Sequence, residues 1–371
     1  MATTRGKLQS GYRGAVLGAA VADALAFPFR SYSREFLLSV ALPLNRGYEA
    51  SRDGAHHAGQ YTDDTQGLLA VIDSILERQD LAPDERSAEL VVDHLIPLWR
   101  DMLVVDPDPD TSDTMRSIVR GITPWNEAAQ PCGCSSAGAV TRAIPVGLWD
   151  SRSPEDVPAH VETIVGVTHR DTRVLAVCAG VAAGVANNLE ADELILGDLL
   201  DRVSSACAGF DVDVARTVLD MPRFLSQTEE RAIGMILRSL SAADHPRLRD
   251  GPGSHAVPVL LIALYLFLKT PHDYSTTVDR SIRVGGNMST IASVTGAFSG
   301  SFNGEEHLPA LLVKGLVQGD EIRARADDLH DLRRRVLRQT RRPSNDADPS
   351  EEDSVAIAGD ETIAADSEDL R

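Results

Sequence analysis

Four stretches of small apolar residues at helical spacing limit what this chain can fold into. They are Gly14–Phe27, Ser136–Leu148, Asp171–Ala186 and Ile291–Gly300. Small side chains let neighbouring helices approach closely, and no segment of convincing length alternates apolar and polar residues as a half-buried strand does. Aromatic residues are only 5% of the chain, so we expect a core of Ala, Val, Leu and Ile. The sequence predicts an all-α protein of many helices of ordinary length.

Charge separates the chain into two parts. Residues 344–371 hold ten acidic residues against one Arg and show no core-forming period, so we predict a disordered acidic tail after a single helical domain over residues 8–343. The formal net charge of the whole chain is −19, which argues against a nucleic-acid surface as the main partner.

Several features favour a cytoplasmic protein. The first residues lack the apolar core and cleavage site of a signal peptide, and the apolar stretch Val257–Leu268 is too short to span a bilayer, so no membrane partner is expected. Four cysteines in 371 residues do not form a disulfide framework, and we expect reduced thiols. Cys132 and Cys134 form a possible zinc pair, but no second pair or His cluster completes the ligand set.

Two adjacent carboxylates at a predicted helix start are the main candidate site. Thr62, Asp63 and Asp64 precede an apolar run at helical spacing and offer hard oxygen ligands on a rigid element, as Mg²⁺ requires. The same residues also suit a helix cap, with Thr62 as N-cap and the two aspartates beside the positive end of the helix dipole. Local sequence leaves both readings open.

Other polar residues are weaker candidates for a functional site. Asp106–Asp113 alternates Pro and Asp, which predicts a loop with exposed carboxylates. Arg142 is the only charge on an apolar segment, which predicts a structural ion pair in preference to a phosphate contact. His56 and His57 lie in a polar loop, where histidines are usually solvated.

The order of several motifs resembles that of the ADP-ribosylglycohydrolase family, whose founding members remove ADP-ribose from an arginine of dinitrogenase reductase. The resemblance covers about Gly14 to Val317. Its motifs lie at Gly14–Pro28, His57–Gln66, Gly138–Gly147, Thr168–His169 and Gly285–Gly300. It implies the compact orthogonal multi-helix bundle of that family.

The resemblance also implies a site and a chemistry. In the family two Mg²⁺ ions bind at the base of a cleft and hold water near the anomeric carbon of the substrate. Carried over by position, the metal ligands are Thr62, Asp63, Asp64 and Thr290, and the catalytic residues are Asp63, Asp64 and, through a loose match, Asp110. The matching substrate-binding residues are His57, Gly138, His169, Gly285, Gly286 and Met288.

This chain departs from the family where charge matters most. The two late aspartate ligands are Asn287 and Ser289, and a glutamate common after the first block is Arg30. A site about four charges less negative makes two bound Mg²⁺ improbable and leaves one weak site or none. We expect Arg30 to lie close to Asp63 and Asp64 and to neutralise them in place of metal.

Two functions follow from these departures. In one, the protein binds ADP-ribose and hydrolyses the C1″ glycosidic bond of ADP-ribosylated targets, with activity reduced or lost. In the other, it is a catalytically silent relative that binds ADP-ribose, a nucleotide or a protein partner in the same cleft.

Overall fold

A computed structural model describes residues 4–30, 32–40, 47–129, 135–239 and 255–340. These residues form seventeen α-helices and no β-strand. The helices are α1 Thr4–Ala26, α2 Arg34–Ser39, α3 Asp63–Arg78, α4 Glu85–Arg100, α5 Pro109–Val119, α6 Ala143–Trp149, α7 Val157–Val165, α8 Thr172–Glu190, α9 Leu196–Ala208, α10 Val212–Leu219, α11 Met221–Leu225, α12 Glu229–Arg238, α13 Ala256–Lys269, α14 Tyr274–Ile282, α15 Met288–Asn303, α16 Ala310–Gly315 and α17 Gly319–Thr340. The predicted all-α class is confirmed.

Helices α1 and α15 pack with their backbones in contact at the centre of the bundle, which is possible because glycines face each other there. A Cβ atom on Gly14 or Gly300 would meet the carbonyl oxygen of the other residue, and Gly18 and Gly296 face each other in the same way. The four-residue spacing of Gly296 and Gly300 therefore creates a surface on which the two backbones touch. Nearly all of α15 is buried as a result.

Helix α8 is a second buried element. Its residues from Val174 to Leu189 are all buried, as the sequence predicted for this stretch. It is the only described helix long and apolar enough to cross a membrane, and 89% of its apolar window is buried inside the fold. The shorter apolar helix α13 is buried from Val259 to Phe267.

Two local predictions are wrong. The segment Ser136–Leu148 is not one helix: Ser136 forms an isolated antiparallel bridge with His255, and α6 begins only at Ala143. Pro145 explains this start, because its ring would clash with the carbonyl four residues earlier if a helix ran through it, whereas a proline near the first turn costs nothing.

The Pro-Asp segment is also more ordered than predicted. Asp108 is the N-cap of α5, its side chain accepts a hydrogen bond from the backbone N–H of Thr111, and Pro109 occupies the first helical position. Alternation of Asp and Pro thus starts a helix here, because proline at the first position loses no hydrogen bond. Cys132 and Cys134, for which the sequence gave no complete zinc ligand set, and the predicted acidic tail lie outside the described residues.

Candidate functional site

Three helix N-termini converge on one small cavity. Helix α3 contributes Asp63 and Asp64, α5 contributes Asp108, and α15 contributes Ser289 and Thr290. The cavity has a volume of about 290 Å³. The remaining wall residues are Asp106, Pro107, Pro109, Gly138, Gly286 and Asn287. The positive ends of three helix dipoles therefore face the same group of carboxylates, which stabilises their negative charge.

The loop before α15 is built to bring that helix end into the cavity. Gly285 and Gly286 have φ angles of +78° and +64°, in the left-handed region where glycine is free of strain. The guanidinium of Arg34 donates to the carbonyls of Arg283 and Val284 at 3.1 Å and holds the end of α14. The turn at Gly285 and Gly286 is thereby anchored at the end of α14 and leads directly into α15.

Asp23 of α1 holds the start of α3 in place. It is completely buried, and its carboxylate accepts hydrogen bonds from the N–H and hydroxyl of Thr62, at 3.0 and 2.9 Å, and from the N–H and hydroxyl of Thr65, at 3.2 and 2.6 Å. Burial raises its pKa to about 6, although these four hydrogen bonds oppose the shift. Asp23 lies within the first family motif, Gly14–Pro28, but the sequence alone assigned it no role.

The helix-cap reading of Thr62, Asp63 and Asp64 is confirmed, and the metal-site reading stays a prediction. Thr62 is the N-cap of α3 and accepts a hydrogen bond from the N–H of Asp64, so the predicted cap exists. The carboxylate of Asp63 accepts from the N–H of Asp108 at 3.0 Å. Asp64 is buried, and its carboxylate accepts from the hydroxyl of Thr290 at 2.9 Å.

The cavity carboxylates are strained electrostatically. Desolvation raises the pKa of Asp63, Asp64 and Asp108 above their usual range, and repulsion among the cavity aspartates adds to the shift of Asp63 and Asp64. Within the described chain, neither Asp63 nor Asp64 forms an ion pair with Arg or Lys. Binding of a cation or a proton therefore stabilises these buried carboxylates more than it would stabilise exposed ones.

The expected pairing of Arg30 with these aspartates is wrong. Arg30 forms its ion pair with Asp106 at the edge of the cavity and stacks over the ring of Phe27. Asp106 lies in the loop between α4 and α5. Arg30 therefore neutralises a carboxylate at the rim of the cavity.

Arg142 also differs from its prediction. It is buried, and it donates to the hydroxyl of Thr168 at 2.7 Å and to the carbonyl of Gly138 at 3.3 Å, with no carboxylate in contact among the described residues. Its Nε has no hydrogen-bond partner. In the described part of the chain the predicted ion pair does not form, and Asp63 and Asp108 act on the guanidinium only at longer range.

Several predicted site residues do not line the cavity. His57 is exposed, and Met288 and His169 are fully buried. Gly285 lies next to the lining residue Gly286. Asp110 is half-buried two residues after Asp108, and Asp108 takes the place at the cavity that was predicted for Asp110. The helix-starting role of Pro109, the signal for that difference, was readable from the sequence.

The oxygen donors around the cavity fit one hard cation better than two. Asp63 and Asp64 supply carboxylates, and Thr290 and Asn287 supply a hydroxyl and an amide oxygen that lie 2.9 Å apart. A second ion would lack the two carboxylates of the later motif, because Asn287 and Ser289 are neutral. Asp108, Asp110 and His169 also bring ligand atoms within 4.8 Å of one another. Both ring nitrogens of His169 are already hydrogen-bonded, to Thr168 and Ser136, so this second group fits a cation poorly.

Comparison with known proteins agrees with the fold and the motifs. The profile of the ADP-ribosylglycohydrolase family matches residues 4–338. ADP-ribosylhydrolase ARH3 of Xenopus tropicalis is 24% identical over 328 residues, covering 81% of this chain and 89% of that protein. An uncharacterized protein of Archaeoglobus fulgidus is 24% identical over 335 residues, covering 90% of this chain and all of that protein.

The fold is also similar to a solved structure titled ADP-ribosylglycohydrolase-related protein complex, with a TM-score of 0.66, 18% identity and coverage of 88% of this chain and 99% of that one. Members of the matched family act on ADP-ribosylated substrates and depend on metal ions in general. From the match over nearly its whole length, this chain belongs to the ADP-ribosylglycohydrolase family.

Proposed function

We propose that this cleft binds the ADP-ribosyl group of an ADP-ribosylated protein or small molecule and hydrolyses its C1″ glycosidic bond at a reduced rate. The observation that carries the proposal is the meeting of Asp63, Asp64 and Asp108 at one cavity formed by three helix N-termini. A cavity of about 290 Å³ is at the small end for ligand pockets, so it suits one ribose with the rest of the ligand outside.

One Mg²⁺ would be held by Asp63, Asp64, Thr290 and Asn287. When bound, such an ion would supply Lewis-acid polarisation and orientation of ribose hydroxyls and water. The residues of the chain have their own tasks. Asp108 presents a carboxylate that can accept a proton from an attacking water, and its raised pKa brings it nearer to the working range of a general base.

The reduced rate follows from the α15 residues. Asn287 and Ser289 offer neutral oxygens where the family motif has carboxylates, so the attraction for a dication is weaker. The hydroxyl of Thr290 also lies 2.9 Å from both the Asp64 carboxylate and the Asn287 amide oxygen. A metal must compete with this contact.

The same network favours a second function. The hydroxyl of Thr290 links Asp64 on α3 to Asn287 at the start of α15, and these contacts can keep the shape of the cleft even if the original chemistry is lost. In that case the protein is a silent binder of ADP-ribose, of a nucleotide or of a protein partner.

Hydrolysis of ADP-ribosylated protein with and without Mg²⁺ tests the two functions. We expect slow, Mg²⁺-dependent release of ADP-ribose by the parent and at least about tenfold faster release by an Asn287→Asp/Ser289→Asp variant, because restored carboxylates bind the cation more tightly. A control variant, Asn126→Asp/Ser226→Asp, adds the same charge at exposed positions.

The outcomes separate cleanly. Release by the double variant alone establishes the silent reading for the parent, whereas no release by either protein refutes the proposed hydrolysis. Faster release by the control variant would show that net charge is responsible instead of the cavity ligands.

A further inference from the structure

Five polar side chains form a hydrogen-bonded series that begins at a buried cation and ends at a carboxylate in the cavity wall. Arg142 Nη1 donates to Thr168 Oγ1 at 2.7 Å, and Thr168 Oγ1 lies 2.9 Å from His169 Nδ1. His169 Nε2 lies 3.0 Å from Ser136 Oγ, which lies 3.1 Å from Asp108 Oδ1. The first four residues are buried, and Asp108 lines the cavity.

The groups at the two ends of this hydrogen-bonded series determine the direction in which its hydrogen bonds are donated. A guanidinium can only donate hydrogen bonds and a carboxylate can only accept them, while a hydroxyl has one hydrogen and a neutral imidazole has one N–H. With Arg142 donating to Thr168, the Thr168 hydroxyl donates to Nδ1 of His169. The Nε2–H of His169 then donates to Ser136, and Ser136 donates to Asp108. In this arrangement Thr168, His169 and Ser136 each donate one hydrogen bond and accept one.

The opposite direction satisfies fewer groups. If Nδ1 of His169 carried the hydrogen, Thr168 would accept from both Arg142 and His169, and its own hydroxyl would have only the Val165 carbonyl, at 3.5 Å. Ser136 would then donate to His169, and Asp108 would lose a hydrogen bond to an ionised acceptor. Such charge-assisted bonds are about twice as strong as neutral ones.

Backbone contacts fix the position of Ser136 within this hydrogen-bonded series. Ser136 pairs with His255 in an isolated bridge, and the carbonyl of the preceding Ser135 accepts from the N–H of Ala256 at 2.9 Å. The start of α13 therefore sets the position of Ser136. Arg142 is held at the other end by the carbonyl of Gly138.

We infer that His169 is a positioning residue, held as the neutral Nε2–H tautomer, which fixes the Asp108 carboxylate at the cavity through Ser136. This assigns to His169 a role inside the wall instead of the substrate contact predicted from the sequence. It also links the buried guanidinium of Arg142, which contacts no carboxylate among the described residues, to Asp108 through three hydrogen-bonded side chains. The catalytic consequence rests on the proposed function, whereas the tautomer does not.

Nitrogen-15 NMR of the full chain labelled at histidine tests the tautomer directly. The two ring nitrogens of a neutral imidazole have different shifts according to which one carries the hydrogen. We expect the His169 signals to be those of a single Nε2–H form at neutral pH. The signals are identified by their loss in a His169→Gln variant or, if that variant does not fold, by backbone assignment of the parent. A single Nδ1–H form, a mixture or an imidazolium overturns the inference.

Two substitutions test the chain on either side of His169. Thr168→Val removes the donor to Nδ1 and should replace the single tautomer by a mixture, whereas Thr163→Val, which removes an exposed hydroxyl bonded to the Ala159 carbonyl, should leave it unchanged. An unchanged single tautomer in Thr168→Val contradicts the assigned direction.

The positioning role is tested at Ser136. Ser136→Ala should lower kcat about tenfold with KM nearly constant, because Asp108 loses a hydrogen bond that orients its carboxylate, and Ser136→Thr should restore most of the rate. A rise in KM with kcat constant overturns the role. If the parent does not hydrolyse the substrate, the proposed function fails and the NMR result alone decides the tautomer.

Discussion

Asp23 shows how one buried residue can support a site that it does not line. Its carboxylate gathers four donors from Thr62 and Thr65 and so sets the first turn of α3. The N–H groups of Thr62 and Thr65 can only donate and share one oxygen of Asp23, so an amide must keep its oxygen there and turn its NH₂ toward the Thr62 hydroxyl. That hydroxyl would then lose its acceptor, and it already accepts from the N–H of Asp64. The cost of that mismatch falls on a fully buried network.

We predict that Asp23→Asn lowers the free energy of unfolding by about 2–4 kcal/mol, through unsatisfied buried donors. Urea unfolding measures this change. Asp192→Asn is the matched control, because Asp192 forms an exposed pair with Lys7 and should have no measurable effect. Equal effects of the two substitutions would contradict the role given to Asp23.

His169 should make stability depend on pH. Burial lowers its pKa to about 3, from an ordinary value of 6.5. Between these values the unfolded chain binds a proton that the folded chain does not, so this side chain's contribution to stability falls as pH is lowered below 6.5. From pH 7 to pH 5 the loss is about 2 kcal/mol.

The difference between the parent and His169→Gln isolates this contribution. The raised pKa values of Asp63, Asp64 and Asp108 act in the opposite direction, because the folded chain takes up protons there first. Urea unfolding of both proteins from pH 5 to pH 8 should give a difference that changes below pH 6.5 and is flat between pH 7 and 8. A difference that is flat throughout would refute the prediction.

At the scale of elements, the contact between α1 and α15 sets the geometry of the site. Asp23, which holds the start of α3, lies on α1, and Thr290 lies on α15. The backbone contact at Gly14, Gly18, Gly296 and Gly300 therefore fixes the start of α15 relative to the start of α3. The sequence predicted the small-residue stripe on α15. It did not predict that α1 would be the partner, because several helices carry small residues.

We predict that Gly300→Ala destabilises the protein by about 2–4 kcal/mol. Alanine gains up to about 1 kcal/mol in helix propensity, but its Cβ meets the Gly14 carbonyl, and overpacking against backbone outweighs that gain. Gly197→Ala is the control, because nothing lies within 4 Å of the added Cβ and only the propensity term remains. Thermal unfolding compares the two variants; a stable Gly300→Ala would contradict the close contact.

At the scale of the whole molecule, the acidic tail and the cytoplasmic location stay predictions. The tail carries −9 of the formal charge of −19, which leaves about −10 for the rest. If residues 344–371 are disordered, their removal should leave the melting temperature unchanged within about 2 °C, since no packed surface is lost. Differential scanning calorimetry of the full chain and of a chain ending at residue 343 measures this. A clear drop would show that the tail packs on the helical domain.

The sequence by itself determined the helical class, most helix positions, the family motifs and the neutral residues at 287 and 289. These are local properties: periodicity, capping and side-chain charge can be read without knowing what lies nearby. Only the tertiary structure decided the partners, including Asp106 for Arg30, Thr168 for Arg142 and Asp108 for the cavity. A partner depends on which helix ends meet in space, and residues 77 or 226 positions apart, such as Thr141 and Thr290 around Asp64, carry no local signal of that meeting.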